Sequence, residues 1–202
     1  MLNLRVRPAI GQLVDPVADA LLRLKVHPDA VTVVGTTGVV AGSLLFFPRG
    51  QFLAGTLVVL AFVGTDLLDG AMARRRGTAG RFGAWLDSTC DRVADAAIFS
   101  GLILWFTGDG EDRLTAGVAL FCLVAGSIVS YAKARAEGLG LSCDVGLAER
   151  AERVLLVLLS TLLVGVGVDG ALAVGLWLLA VATVVTIVQR LVEVRRQAAL
   201  AA

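Results

Sequence analysis

Long apolar runs separated by short polar loops dominate the pattern of this 202-residue chain. Runs that approach the roughly 20 residues of a membrane-spanning helix occur at about residues 30–47, 51–72, 83–106, 114–136, 152–168 and 171–189. The fifth run is short, so we expect its helix to begin in the charged stretch 149–153. The pattern predicts an all-α integral membrane protein with six transmembrane helices. We expect one domain over residues 1–202, with the six-helix bundle over residues 28–196.

The N-terminal segment, residues 1–27, has a different pattern. Over residues 8–25, apolar positions such as Leu13 and Val17 recur at helical spacing, with Asp15 and Asp19 between them. This predicts an amphipathic juxtamembrane helix that lies on the membrane surface. An arm that packs on the body of the protein is the alternative. Pro28 suits the first turn of the helix that follows.

Composition supports the membrane class and narrows the partners. Hydrophobic residues make up 57% of the chain, and the mean hydropathy is +0.83. The net charge is only +1, so no global basic field attracts nucleic acid, and we expect no nucleic-acid partner. The three cysteines show no CxxC spacing and are interpreted as free thiols.

Lysine and arginine fall almost entirely on one side of the predicted topology. That side contains the loops at 74–81 and 137–150 and both termini, whereas the opposite loops hold only Arg49 and Arg113. The positive-inside rule makes the basic side cytoplasmic. We therefore expect a multi-pass protein of the plasma membrane, in contact with the bilayer lipids, whose acidic cluster opens towards the cytoplasm.

Four acidic residues stand where spanning helices are normally apolar. They are Asp66, Asp69, Asp87 and Asp91. An aspartate near the bilayer centre costs about 2.5–3.5 kcal/mol, so these four need compensation. The spacings i, i+3 and i, i+4 place each pair on one helix face, and such an oxygen cluster suits Mg²⁺, Mn²⁺ or Ca²⁺. A buried ion network with Arg74 and Arg92 is the alternative.

The spacing D-x2-D-G-x2-A-R-x8-G-x3-D-x3-D resembles the signature of the CDP-alcohol phosphotransferase family. Every specified position is filled, by Asp66, Asp69, Gly70, Ala73, Arg74, Gly83, Asp87 and Asp91. The resemblance implies transfer of a phosphatidyl-type group from a CDP-linked lipid to an alcohol, with release of CMP. It assigns the four aspartates as ligands of two Mg²⁺ ions, with Mn²⁺ possible, and it implies a homodimer. It also assigns Asp91 as the base, although a carboxylate beside two cations is a weak base unless the metal acidifies the hydroxyl.

The resemblance also implies which residues hold the CDP-lipid. They are Asp29, Ala30, Val31, Thr32, Gly70, Arg74, Gly80 and Gly83. Arg74 can pair with a phosphate through its planar guanidinium, and the glycines at 70 and 83 leave room for a nucleotide. For Asp29 and Thr32 a helix-capping role is the alternative, and for Gly80 it is plain turn chemistry.

A second basic group ends the fourth run and opens the fifth, and it suits an acceptor that is itself a phosphate ester. Its members are Ser130, Lys133, Arg135 and Arg153. Snorkelling and the positive-inside rule alone would also place such residues here. Asp95 continues the face of Asp87 and Asp91 by one turn, where it could orient Arg92 or Lys133.

Longer strings in residues 26–36, 81–95, 130–141 and 146–153 resemble the actinobacterial members of this family. Those members join CDP-diacylglycerol to inositol phosphate. The resemblance implies that the second basic group binds inositol phosphate, with Arg190 as a weaker candidate. Glycerol 3-phosphate, giving phosphatidylglycerol phosphate, is the alternative acceptor. A divalent-cation transporter and a non-catalytic lipid-binding scaffold are the alternatives from other classes.

Overall fold

The computed structural model describes residues 15–76 and 80–201 of the chain. All regular secondary structure in these two ranges is helical, as the sequence predicts. The helices are α1 (15–23), α2 (Pro28–Phe46), α3 (Phe52–Val63), α4 (Thr65–Arg76), α5 (Arg81–Thr107), α6 (Arg113–Glu137), α7 (Arg150–Gly165) and α8 (Ala171–Ala201). A short 3₁₀ turn, Phe47–Arg49, follows α2.

Four helical stretches in the described ranges are long and apolar enough to cross a membrane. They are Pro28–Arg49, Phe52–Arg75, Arg113–Glu137 and Ala171–Leu200. The two other predicted spans fall on α5, whose first half carries several charged residues, and on α7, which has only 16 residues. The expectation of an all-α protein with membrane-spanning helices is confirmed, and the count of six stays a prediction.

The described residues divide into two compact units. The first falls within Met1–Gly42 and Leu57–Ala94, and the second within Ser43–Thr56 and Asp95–Ala202. Helices α2, α3 and α5 contribute residues to both units. The single domain over residues 1–202 stays a prediction.

Helix α1 is the described part of the predicted amphipathic segment, of which residues 8–14 lie outside the described ranges. Ala18 is fully buried against Met72 of α4. Arg75, also on α4, forms ion pairs with Asp15, at 3.0 Å, and with Asp19. Helix α1 therefore packs on α4, in agreement with the alternative of an arm on the body. Its position on the membrane surface stays a prediction.

The turn between α1 and α2 ends one helix and begins the next within four residues. Lys25 has φ 59°, in the left-handed region, and the N–H of Val26 donates to the carbonyl of Leu21 at 3.0 Å. Such a bond closes a helix C-terminus. Helix α2 then begins at Pro28 with Asp29 in its first turn, as the sequence predicts.

The predicted span at 51–72 is one apolar stretch made of two helical segments. The break falls at Gly64, between α3 and α4. The hydroxyl of Thr65 donates to the carbonyl of Phe62 at 2.7 Å, and such a side-chain bond competes with the helical backbone pattern. Gly35 of α2 faces this point, since a Cβ on it would overlap Thr65 Oγ1. A new helix, α4, can therefore begin at Thr65, one residue before Asp66.

Helices α6 and α7 pack along α8 in the second unit, where α3 also contacts α7 through a buried pair of hydroxyls. Thr56 and Thr161 are both fully buried, with their Oγ1 atoms 2.7 Å apart. Thr161 donates its own proton to the carbonyl of Leu158 at 3.0 Å, so Thr56 is the donor of the pair. Both hydroxyls are thereby satisfied in a region where an unpaired one would be costly.

Close packing of α5 on the end of α2 depends on Gly101. A Cβ on Gly101 would lie 2.5 Å from the carbonyl oxygen of Ser43 and 3.2 Å from Cβ of Phe47. We expect Gly101→Ala to lower the free energy of unfolding by about 1–3 kcal/mol, because backbone must move to admit the methyl group. Thermal unfolding in detergent measures this change.

Gly117→Ala is the matched control for Gly101→Ala. A Cβ on Gly117 meets nothing within 4 Å, and this residue lines an apolar groove of about 580 Å³ between α6 and α8. The Gly117→Ala protein should melt at or slightly above the parent temperature, because alanine favours a helix over glycine. Equal losses in the two variants would contradict the role given to the contact of Gly101 with Ser43.

Candidate active site

Two helices of the first unit carry the four aspartates of the signature. Asp66 and Asp69 lie on α4, and Asp87 and Asp91 lie on α5. Asp69 is the most buried of the four, at 8% exposure, whereas Asp66 and Asp91 are half-buried and Asp87 is exposed. Each pair is held on one face by helical spacing, as the sequence predicts.

Thr32 holds the carboxylate of Asp69. The hydroxyl of Thr32 donates to Asp69 Oδ2 at 2.5 Å, and both residues are buried. Thr32 lies in the second turn of α2, and its Oγ1 is also 3.4 Å from the carbonyl oxygen of Pro28. The start of α2 therefore fixes the orientation of one carboxylate on α4. Sequence reasoning assigned both residues to the site but did not predict that they contact each other.

The electrostatics around Asp69 favour a bound cation. Asp66 and Asp87 lie near enough for their negative charges to act on Asp69. A buried carboxylate with two like charges nearby is stabilised by an added positive charge, and carboxylate oxygens are the ligands that Mg²⁺ and Mn²⁺ prefer. The donor chemistry therefore fits a divalent metal. Over the described ranges no three His, Cys, Asp or Glu side chains are already gathered as a metal site, so the shared ligand set stays a prediction.

The start of α2 also approaches the start of α5. A Cβ on Gly83 would lie 3.7 Å from Asp29 Oδ1. Asp29 is half-buried and lies 3.3 Å from Nδ1 of His27, while Ala30 beside it is exposed. Two segments assigned to the CDP-lipid by resemblance, far apart in the sequence, are thus neighbours in the first unit.

The remaining residues assigned to the CDP-lipid differ in their exposure. Arg74 and Gly80 are exposed, and a Cβ on Gly70 would lie 3.3 Å from Nη1 of Arg74. Val31 instead packs against the apolar cluster that contains Met72. Residues 77–79, which precede Gly80, lie outside the described ranges.

Arg153 of the second unit is buried in an ionic network. It is 2% exposed, and its Nη2 donates to Asp95 Oδ2 at 3.2 Å while its Nη1 donates to the carbonyl of Ala148 at 3.3 Å. Arg150 lies 3.5 Å from the other oxygen of Asp95. The guanidinium of Arg153 fits because Gly126 faces it, where a Cβ would be 3.1 Å from Nε. The sequence did not suggest Arg150 or Arg153 as contacts of Asp95.

The other three residues of the predicted acceptor group lie on α6. Nζ of Lys133 donates to Asp144 Oδ1 at 2.5 Å, a contact that the sequence did not predict. The hydroxyl of Ser130 donates to a backbone carbonyl one turn earlier at 3.2 Å. Arg135 is exposed in the last turn of the helix. The acceptor role of these residues stays a prediction.

Arg190, the weaker candidate, is a buried cross-link of the second unit. It is 3% exposed and donates to the carbonyls of Val145, at 2.9 Å, and Val129, at 2.5 Å. Its Nη2 also donates to Glu149 Oε1 at 3.1 Å. Arg190 therefore joins α8 to α6 and to the segment that precedes α7. The sequence could not predict this role, because the partners of Arg190 lie 41 to 61 residues away along the chain.

Comparison with known proteins identifies the class to which this fold and site belong. The family model described as CDP-alcohol phosphatidyltransferase matches residues 25–188, which include all four aspartates, Arg74 and Arg153. The chain belongs to this family, as the aspartate signature predicts. It is therefore a transferase of phospholipid biosynthesis.

Several relatives agree on a more specific activity. The chain is 47% identical to the phosphatidylinositol phosphate synthase of Streptomyces avermitilis, over 98% of this chain and 84% of that protein. It is 49% identical to the enzyme of the same name from Mycobacterium tuberculosis, over 92% and 87% of the two chains. The crystal structure of the Mycobacterium tuberculosis enzyme with CDP-DAG bound has a TM-score of 0.85 to this fold at 49% identity, covering 91% of this chain and 94% of that one.

Proposed function

We propose that this protein transfers the phosphatidyl group of CDP-diacylglycerol to inositol phosphate, giving phosphatidylinositol phosphate and CMP. The complete eight-residue signature carries the proposal. Within it, Asp69 is oriented by the hydroxyl of Thr32, in surroundings whose negative charge favours a bound cation. The relatives at 47% and 49% identity bear the name of this activity, and CDP-DAG is bound in the solved structure of one of them.

The four aspartates are proposed to hold two Mg²⁺ ions, and Mn²⁺ could replace them. In support, a second crystal structure of the Mycobacterium tuberculosis enzyme, with a TM-score of 0.84 at 50% identity over 90% of this chain and 88% of that one, is a complex with manganese and citrate. When bound, such ions neutralise charge on the pyrophosphate and on the leaving oxygen of CMP. The protein's task is to keep Asp69 and its neighbours oriented, and Thr32 does so at Asp69.

The residues of the chain then have distinct tasks in the transfer. An acceptor hydroxyl oxygen attacks the phosphorus that carries the diacylglycerol, and the bond from that phosphorus to the CMP oxygen breaks. Asp91 takes the hydroxyl proton. Arg74, exposed beside Gly70, pairs with a phosphate of the CDP-lipid, and the beginning of α2 with Asp29 contacts its nucleotide.

Ser130, Lys133, Arg135 and Arg153 are proposed to bind the phosphate of the acceptor. Inositol phosphate is favoured over glycerol 3-phosphate because the strings around these residues resemble the inositol-phosphate enzymes, and the named relatives agree. The transporter alternative leaves Gly70, Arg74 and Gly83 without a task, and the complete signature argues against a non-catalytic scaffold.

The topology completes the proposal. We infer six spans, with α5 and α7 as the third and fifth, in the plasma membrane and with the aspartates open to the cytoplasm. The basic residues on one side of the chain support this orientation. A homodimer is inferred from the family resemblance alone.

Release of CMP by purified protein in detergent, with CDP-diacylglycerol and Mg²⁺, tests the proposed function. Inositol phosphate, glycerol 3-phosphate, free inositol and serine are supplied one at a time. Turnover with inositol phosphate alone is expected. Turnover with glycerol 3-phosphate instead would overturn the acceptor while keeping the metal site. Tight Mg²⁺ binding without turnover on any acceptor would favour a transporter or a scaffold.

Replacing Thr32 with valine should weaken metal binding while keeping the side-chain volume. Loss of the hydrogen bond to Asp69 leaves that carboxylate less well oriented, and such supporting contacts are worth about 10–100-fold in metal affinity. We expect half-maximal activity to need at least about tenfold more Mg²⁺. Thr36→Val is the control, since the hydroxyl of Thr36 donates to the backbone carbonyl of Thr32 at 2.9 Å and the same change is made one turn further along α2. Identical Mg²⁺ dependence in both variants would refute the role of Thr32.

A further inference from the structure

Lys133 is held by a carboxylate that the transfer reaction does not use. Its Nζ is 2.5 Å from Asp144 Oδ1, and Glu137 lies at 4.0 Å. Asp144 belongs to the segment 138–149, between α6 and α7. Because the amine already has a carboxylate partner, an acceptor phosphate that binds Lys133 must compete with Asp144.

The backbone on both sides of Asp144 is fixed to α8. On one side, the N–H of Ser142 donates to Gln197 Oε1 at 3.0 Å, and Gln197 Nε2 donates back to the carbonyl of Ser142 at 2.8 Å. On the other side, Arg190 donates to the carbonyl of Val145 at 2.9 Å. These bonds place Asp144 over Lys133 without depending on the ion pair itself.

The same segment is anchored again just before α7. The N–H groups of Leu147 and Ala148 both donate to Thr186 Oγ1, at 3.1 and 2.9 Å. Gly146 has φ 147° and lies against Thr186, where a Cβ would be 2.5 Å from Cγ2. Hydrogen bonds and packing therefore hold this segment in a defined conformation, although none of it is helical or part of a sheet.

The ion pair itself can open at little cost. The side chain of Asp144 is 73% exposed and that of Lys133 is 35% exposed. Water replaces the partner of each group when such a pair separates, so an exposed pair of this kind contributes little to the stability of the protein. The hydrogen bond from Lys133, together with its positive charge, still holds the pKa of Asp144 below its usual range. Asp144 is thus an anion at neutral pH, firmly positioned and weakly bound.

We propose that Asp144 is a counter-anion of Lys133. The ion pair opens when the acceptor's phosphate binds the lysine, and it forms again when the product leaves. The inference rests on the proposed function, because it takes Lys133 as a ligand of that phosphate. A phosphate ester with nearly two negative charges outcompetes a single exposed carboxylate. A neutral alcohol carries no negative charge that could replace Asp144 beside Lys133, so the ion pair favours phosphorylated acceptors.

Release of product gives the pair a second task. The phosphate of inositol phosphate is not consumed, because the new bond forms at a hydroxyl, and the lipid product therefore still carries it. Without a competing anion, Lys133 would retain this product. Asp144 is a positioning residue in this scheme, since it contacts neither the reacting phosphorus nor the attacking hydroxyl.

Initial rates of CMP release at varied inositol phosphate test the inference on Asp144→Asn. The KM for inositol phosphate should fall about two- to fivefold, the range that an exposed ion pair supports. The KM for CDP-diacylglycerol and the single-turnover rate at saturating acceptor should not change. In a Lys133→Ala background, Asp144→Asn should have no further effect on the acceptor KM. A merely structural pair would lower the melting temperature and leave the acceptor KM unchanged, which would overturn the inference.

Controls separate this inference from the proposed function itself. Asp169→Asn removes an exposed aspartate from the loop between α7 and α8 and should leave every constant unchanged. Asp144→Ser is a second uncharged variant if the amide disturbs folding. Should the parent protein show no turnover with inositol phosphate, the proposed function fails, and titration calorimetry with inorganic phosphate still decides the role of Asp144. Tighter phosphate binding by Asp144→Asn supports it, and equal binding overturns it.

Discussion

Replacing Asp91 with asparagine is expected to abolish phosphatidyl transfer while the protein stays folded. Asparagine keeps the size of the side chain but cannot take the acceptor's proton, and it is a weaker ligand for Mg²⁺. Loss of general-base catalysis alone costs about 10²–10⁴ in rate, and loss of a metal ligand adds to it. We expect kcat to fall at least about 10³-fold, within that range.

The measurement is CMP release beside circular dichroism and thermal unfolding of the same preparation. Ser88→Ala is the matched control, because Ser88 is exposed one turn earlier on α5 and its hydroxyl donates to the backbone of Trp85. Binding of Mn²⁺ to each variant separates the two roles of Asp91. Unchanged Mn²⁺ affinity with no turnover indicates the base, and lost affinity indicates the ligand. Activity within tenfold of the parent in a folded Asp91→Asn protein would remove Asp91 from both roles.

The second large effect is expected at Asp95, which contacts the buried Arg153. Asp95→Asn removes the charge 3.2 Å from Nη2 of Arg153, in surroundings where that arginine is only 2% exposed. Removing one partner of a buried ion pair costs about 3–5 kcal/mol, so we expect a large drop in the melting temperature. The KM for the acceptor should also rise, because Arg153 loses the group that positions it.

An exposed aspartate of the second unit offers the comparison for Asp95. Asp109→Asn makes the same change of charge in the turn between α5 and α6, where the side chain is exposed. An exposed charge is hydrated in the folded protein, so this variant should melt near the parent temperature with an unchanged acceptor KM. Similar losses of stability in Asp95→Asn and Asp109→Asn would mean that burial of Arg153 does not set the strength of its pairing.

The helices that carry the signature could be predicted from the sequence because the information that specifies them is local. Aspartates at i, i+3 and i, i+4 must share a helix face, and Pro28 with Asp29 marks a helix start wherever it occurs. These two features predict where α2 begins and which faces of α4 and α5 carry the aspartates of the first unit. The same local rule misses the break at Gly64, because it arises from a hydroxyl of Thr65 that bonds the preceding turn.

Contacts between distant parts of the chain could not be predicted in the same way. Thr32 meets Asp69, and Asp95 meets Arg153, only because separate helices pack side by side. Charge alone allows Arg92 or Lys133 as partners of Asp95 equally well, and only packing selects among them. Lys133 contacts Asp144 instead. Asp144 belongs to a segment whose sequence predicts neither a helix nor a strand.

The ion pair of Lys133 with Asp144 also bears on inhibitor design. With Lys133 as the proposed ligand of the acceptor's phosphate, a small molecule that binds this lysine must displace the carboxylate of Asp144. A single carboxylate on the compound merely replaces Asp144 and gains little affinity. A phosphonate or another dianionic group exchanges one charge for nearly two, and a rigid spacing of its oxygens would avoid much of the entropy cost of docking.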